Sequence, residues 1–183
     1  VSPTEEVAVV RRIVVVPHNP AWAAAFAAEA RFWRGILGHQ VVAIEHIGST
    51  AIPGMPAKPI IDMLITVHDI DAVGAHDASL IAAGYWPRGE NGIPGRRFHI
   101  KGTDEARTHH VHVFGADSPE AERHLAFRDY MTAHPAEAQA YGRLKEDLAA
   151  RFPEDAEGYV AGKDAFVQER EARASAWRRD RES

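Results

Sequence analysis

The spacing of apolar positions divides the 183-residue chain into a β-rich first part and a helical last part. Ile13-Val14-Val15-Val16 reads as a short strand or an extended arm. Asn19-Pro20 marks a helix start, since Asn can cap and Pro fits the first helical position. Trp22, Phe26, Trp33 and Leu37 then recur at helical spacing, which predicts a helix over about residues 20–37, ended by Gly38. Val41–Ile47 and the apolar run Pro59–Val67 read as strands, separated by the turn signals Gly48-Ser49-Thr50 and Pro53-Gly54. Ile70–Ala83 predicts a helix closed at Gly84, and three further strands are expected at about 85–90, 96–102 and 109–115.

From Ser118 onward the period is helical. Ser118-Pro119 with Glu120 and Glu122 close behind is a helix start, and Pro135 opens a second helix with Tyr141, Leu144, Leu148 and Phe152 at steps of three and four. A third begins near Glu154, and its mixed-charge tail from Glu169 is expected to fray. There is no internal repeat, low-complexity segment or interdomain linker. The expected fold is α+β in a single domain: a small sheet over about residues 13–115, closed by C-terminal helices over about 118–175.

Composition narrows the chemistry. Hydrophobic residues at 45% and charged residues at 26% allow a sizeable core and exclude wholesale disorder. The apolar runs are too short to span a bilayer, and no secretory leader pattern opens the chain, so a cytoplasmic location without membrane partners is expected. The absence of cysteine excludes disulfides, thiolate catalysis and Cys-based zinc sites. A net charge of −5 and scattered basic residues argue against a nucleic-acid partner. Eleven histidines remain, and without cysteine any transition-metal chemistry must use imidazole and carboxylate.

Two stretches concentrate chemistry. A Gly48-Ser49-Thr50 turn directly after a strand exposes backbone N–H groups and two hydroxyls, the donors that a phosphate needs. Lys58 can add a positive charge, and Asp62 is a carboxylate inside an apolar strand, costly unless paired or bound to a cation. The bland alternative is a tight turn with Asp62 bonded to a helix end. In the second stretch, His109-His110-Val111-His112-Val113, alternation puts His110 and His112 on one strand face, about 7 Å apart. With Asp62 they would make a metal site; the alternative is a pair that lines a polar cleft. Arg97, sharing a face with His99, is a candidate phosphate clamp or a solvated strand residue, and Arg128 is a candidate ligand contact or a solvated helix residue. Lys145 and Lys163 lie on helices with apolar faces, where exposure is the default.

His46-Ile47-Gly48-Ser49-Thr50-Ala51-Ile52-Pro53-Gly54 followed by Ala57-Lys58-Pro59-Ile60-Ile61-Asp62 resembles the signature of the GrpB family. Gly84-Tyr85, His110–Val113, Phe127–Tyr130, Tyr141–Lys145, Tyr159 and Gly162-Lys163 match as well, so the resemblance runs from about Val15 to Val167. It implies a nucleotidyltransferase-like fold of the polymerase-beta superfamily, in which a Gly-Ser turn precedes a strand bearing a carboxylate, an apolar residue and a second carboxylate that together hold divalent metal. Gly48-Ser49 and Asp62 fit, while Leu64 stands where the second carboxylate belongs. A mixed Asp/His set suits zinc, manganese or nickel better than magnesium. GrpB-like domains are also fused, in some bacteria, to dephospho-coenzyme A kinase.

The resulting expectation is a divalent-metal-dependent (Mg, Mn or Zn) nucleotidyltransferase acting on a nucleoside triphosphate and a small acceptor. Asp62, Ser49 and His46 are the catalytic candidates, with Glu45 as the alternative base on the opposite strand face. Gly48, Ser49, Thr50, Lys58, Arg97 and Arg128 are the ligand-binding candidates, and Asp62, His110 and His112 the metal set. The alternatives are a non-catalytic module for a nucleotide or phosphorylated small molecule, and a metal-dependent phosphoesterase.

Overall fold

A computed structural model describes residues 12–182. Val16 pairs with Ala57 through two backbone bonds of 2.9 Å, so the apolar run at 13–16 is an extended arm. Helix α1 covers Ala21–Leu37, its first turn held by Asn19 Oδ1, which accepts from the Ala21 N–H at 2.9 Å. Strands follow as β1 (Val41–Ile47) and β2 (Ile61–Val67). The predicted helix over 70–83 divides: a tight helical stretch, Asp71–His76, precedes α2 (Asp77–Ala82). Gly74 within that segment weakens a continuous α-helix, while Val73 and Leu80 still reach the core. Strands β3 (Tyr85–Pro87), β4 (Arg97–Gly102) and β5 (Arg107–Gly115) complete a mixed sheet ordered β1-β2-β5-β4-β3. Among the described strands, only β2 and β5 run parallel.

Alternation gives the sheet two different faces. Ile61, Met63, Ile65, Val67, Val111 and Val113 pack with Trp22, Trp33 and Leu37 of α1 and Leu80 of α2 in the main core. The opposite face carries Asp62, Leu64, His110 and His112 and lies toward helices α3 (Pro119–Ala133), α4 (Pro135–Arg151) and α5 (Ala156–Glu182). Helix α3 starts as the sequence predicts, with the Ser118 hydroxyl accepting from the Ala121 N–H.

The expected fraying beyond Glu169 does not occur, and α5 continues to Glu182. Its arginines find partners on neighbouring helices: Arg170 and Arg173 each meet Glu137 at 3.0 Å, and Arg178 meets Glu122 at 3.1 Å. Ala174 is buried against Ala126 and Tyr130. The mixed charges that read as a solvated tail therefore join α5 to α3 and α4.

Candidate functional site

The β1–β2 connection makes a close approach. Gly48 has φ 69°, a left-handed value suited to glycine, and a Cβ at this position would lie 2.7 Å from Asp62 Oδ2. The turn Ser49–Ala51 thus rests directly on the Asp62 carboxylate. Register does the rest: Asp62 is opposite His110 and Leu64 opposite His112 across the parallel β2–β5 ladder. His110 Nδ1 lies 3.2 Å and His112 Nε2 3.5 Å from the same oxygen, Asp62 Oδ1. Burial pushes the Asp62 carboxyl up, but the hydrogen bonds from the two imidazoles outweigh it and hold it well below the usual carboxylate range.

An ionised carboxylate only accepts, so both rings present N–H to Asp62. Arg96 fixes this for His112. The guanidinium is 4% exposed, bonds the carbonyls of Glu90 and Asn91, and lies over the Phe98 ring. Its remaining contact is to His112 Nδ1 at 3.1 Å. An arginine only donates, so Nδ1 carries the lone pair and Nε2 the proton. Burial lowers the His112 pKa further from charge.

This arrangement tests the implied metal ion. A metal-bound imidazole gives its lone pair to the ion and donates its other N–H to an acceptor. His112 has the reverse order, with a donor behind Nδ1 and a proton toward Asp62. His110 also turns its Nδ1 proton to Asp62 and keeps a lone pair on Nε2, which is buried and without a hydrogen-bond partner, so this ring has the order of a metal ligand but stands without the other two. Among the described residues, no group of three His, Asp or Glu side chains is arranged to hold a metal ion. The Asp62, His110 and His112 groups converge as the sequence predicts, but as a hydrogen-bonded set that does not fit three-ligand coordination. Leu64, where the sequence resemblance implied a second carboxylate, is fully buried with Ile47, Phe114 and Ala121.

Above Asp62 the sheet and the C-terminal helices leave a cleft of two adjoining lobes, which share Ser49, Asp62, Tyr141 and Lys163. One lobe, about 240 Å³, adds Lys58, His110, Lys145 and Tyr159. The other, about 230 Å³, adds Gly48, His112, His124, Phe127 and the ion-paired Arg123 and Glu171. His124 donates its Nδ1–H to the Glu120 carbonyl at 2.7 Å, and burial holds its pKa at about 4, so Nε2 is an acceptor. A separate apolar groove of about 350 Å³ between residues 52–56 and helices α3 and α4 contains none of these groups.

The other sequence candidates disperse. His46 faces α1, stacked on Phe26 with ring centres 4.8 Å apart, and its Nε2 bonds the buried Thr50 hydroxyl at 2.9 Å. It therefore sits on the far side of the sheet from Asp62 and stiffens the turn. Glu45 takes the near face but pairs with Arg128 at 2.8 Å. Arg128, also bonded to the His46 carbonyl, ties the end of β1 to α3 rather than lining the cleft. Arg97 lies on the α1-side face with an ion pair to Asp71 at 2.8 Å, away from the cleft. The arginine at the site is its neighbour Arg96.

Lys145 and Lys163 overturn the expectation of exposure. Lys145 is 3% exposed, donates to the Pro56 carbonyl at 2.5 Å and lies over the Tyr141 ring. Burial, with Lys163 and Lys58 close by, lowers its amine to about 7. Burial lowers Lys163 in the same direction. A signal was present in the sequence: Lys145 stands four residues after Tyr141 and three before Leu148, within the buried stripe of its own helix.

The chain is 46% identical over 171 residues to the UPF0157 protein YqkA of Bacillus subtilis (strain 168), covering 93% of this chain and 50% of that protein. It thus spans half the length of that relative. It is 29% identical over 189 residues to a protein named dephospho-CoA kinase from Mycolicibacterium paratuberculosis, covering 89% of this chain and 46% of that protein. The crystal structure of conserved protein GrpB from Enterococcus faecalis superposes with a TM-score of 0.85 at 41% identity, over 90% of this chain and 99% of that one. The GrpB protein family model matches residues 12–173, and the chain belongs to the GrpB family.

Proposed function

We propose that the two-lobed cleft binds a nucleotide or related phosphorylated small molecule and transfers a phosphorus-containing group from it to a small acceptor. The observation that carries this reading is convergence: Gly48-Ser49, Asp62, His110 and His112 come from three separate elements and meet at the floor of one cleft. The kinship with proteins named dephospho-CoA kinase supports a nucleotide-related ligand. Asp62, kept ionised by its two imidazoles, orients the ligand, while Ser49 borders both lobes. In the transfer, the acceptor hydroxyl forms the new oxygen–phosphorus bond, the bond to the leaving phosphate breaks, and the hydroxyl proton passes to a base at the cleft. A divalent ion remains part of the proposal only as a companion of ligand phosphates, since the side chains alone do not fit one, and no step is assigned to it.

A specific observation favours the binding-only reading as well. The closed apolar packing of Leu64 and the Arg96–His112 contact remove two of the ligands that two-metal catalysis requires. The deciding experiment incubates the full chain with ATP, CTP, GTP and UTP, pooled small acceptors, and magnesium, manganese or zinc against a chelator. Pyrophosphate or phosphate release that Asp62→Asn reduces by at least about a hundredfold is the expected result for transfer. Affinity without turnover leaves the binding module, and absence of both affinity and turnover overturns the proposal.

A further inference from the structure

Two helices line the 230 Å³ lobe at helical spacing. Arg123, His124 and Phe127 reach it from α3, while Lys163, Val167 and Glu171, each four residues apart, form one stripe of α5. Ile47, Phe127, Tyr141 and Val167 give it apolar walls, and the two aromatic rings suit a flat ligand group. Arg123 is already engaged: its Nε and Nη2 bond Glu120 at 2.9 Å and 2.8 Å, and its Nη1 pairs with Glu171.

His124 is held differently from the two histidines on Asp62. Its Nδ1 lies 2.7 Å from the Glu120 carbonyl, one turn earlier in α3, and a carbonyl only accepts, so the proton sits on this nitrogen. The ring packs beside His112 and Phe114, with centres 5.2 Å and 5.9 Å away, and burial keeps it neutral. Nε2, across the ring, therefore carries a lone pair. Among the described residues this atom has no hydrogen-bond partner, yet unlike Nε2 of His110 it is not shut off by protein, so it opens on the lobe. An acceptor left unpaired beside apolar walls is unfavourable, and a ligand N–H would satisfy it. A ligand carbonyl in the same place would set lone pair against lone pair.

We propose that this lobe seats the base of a nucleotide, with His124 Nε2 accepting from an exocyclic amino group, so that adenine and cytosine are chosen over hypoxanthine and uracil. The inference rests on the reading of the cleft as a nucleotide site and deepens it by naming the class of base. It concerns binding alone and needs no transfer chemistry. His124 acts as a specificity-determining residue, and the Glu120 carbonyl acts through it by fixing which nitrogen is the acceptor.

The test is isothermal titration of the full chain with ATP, ITP, CTP and UTP, in magnesium and at constant ionic strength. Within the pairs ATP/ITP and CTP/UTP the sugar and phosphates are identical, so the ratio of affinities reads the edge of the base. ATP should bind about tenfold or more tightly than ITP, and CTP than UTP, the scale of one hydrogen bond made against an acceptor left unpaired. His124→Phe keeps a ring without the acceptor and should bring both ratios close to one, while His124→Gln retains an acceptor and should keep a preference for the amino-bearing bases. The comparison of four nucleotides needs only the wild type, so a variant that fails to fold does not remove the test. Equal affinities within each pair, or a preference that His124→Phe leaves intact, overturn the inference while nucleotide binding itself stands. Absence of affinity for all four overturns it together with the reading it rests on.

Discussion

At the scale of single residues, two contacts determine what Asp62 can do. Gly48 lets the backbone rest on its carboxylate, and neither its φ of 69° nor the 2.7 Å clearance admits a side chain. Gly48→Ala is expected to cost on the order of 1–3 kcal/mol, read as a lowered denaturation midpoint, and to displace Asp62 from its imidazoles. Arg96 governs the second contact by forcing the lone pair of His112 onto Nδ1. Glutamine at 96 could instead accept an N–H there and free Nε2 for a metal. Arg96→Gln should therefore raise zinc affinity by about tenfold, the lower range of effects seen for outer partners of metal ligands. Titration with zinc and a competing chelator measures this, and a variant with unchanged affinity contradicts the tautomer argument. Alternation along the strand put His110 and His112 on one face, and the β2–β5 register, which no local pattern encodes, then sets that face beside Asp62. Alternation also separated Arg96 from Arg97, but not which face would be covered by the cleft. That depends on how the C-terminal helices cross the sheet, which no local pattern encodes.

At the scale of elements, the C-terminal helices were legible in position and misread in surface. Apolar spacing located α4, yet the lysine within its buried stripe passed as solvent-facing because lysine is rarely buried without a partner. The charged end of α5 looked like a fraying tail for the complementary reason: its partners Glu137, Glu122 and Asp129 lie dozens of residues away in the chain. Close packing of α5 on α4 depends on Gly162. Gly162→Ala adds a methyl whose position is 2.4 Å from Leu148 Cδ2, so the gain in helix propensity of about 1 kcal/mol is set against an overpacking cost of about 1–3 kcal/mol. The variant should have a lowered denaturation midpoint, and Leu148→Ala should cost less in the Gly162→Ala background than in the wild type, because it makes room for the methyl. If the two costs simply add, the close approach is not what limits the packing of α5 on α4.

At the scale of the molecule, the two sheet faces divide the work. The face under α1 and α2 carries the main core, while the face under α3, α4 and α5 gathers one carboxylate, two imidazoles and three lysines around open space. Such a face is a stability cost that binding offsets, since groups arranged for a ligand repel one another in its absence. Lys145 makes the cost measurable. Its amine titrates at about 7 in the fold, against 10.5 for an unperturbed lysine, because burial and then the charges of Lys163 and Lys58 disfavour the ammonium. Between those values the unfolded chain binds the proton more tightly, so stability falls as pH drops from about 10.5 to about 7 and changes no further below. Lys145→Met removes this loss and should stabilise the ligand-free protein by about 0.5–2 kcal/mol near pH 6.5, with a smaller advantage near pH 9.5. Thermal denaturation of both proteins at the two pH values reads this prediction. A variant no more stable than wild type at pH 6.5 would show that the buried Lys145 is accommodated without cost.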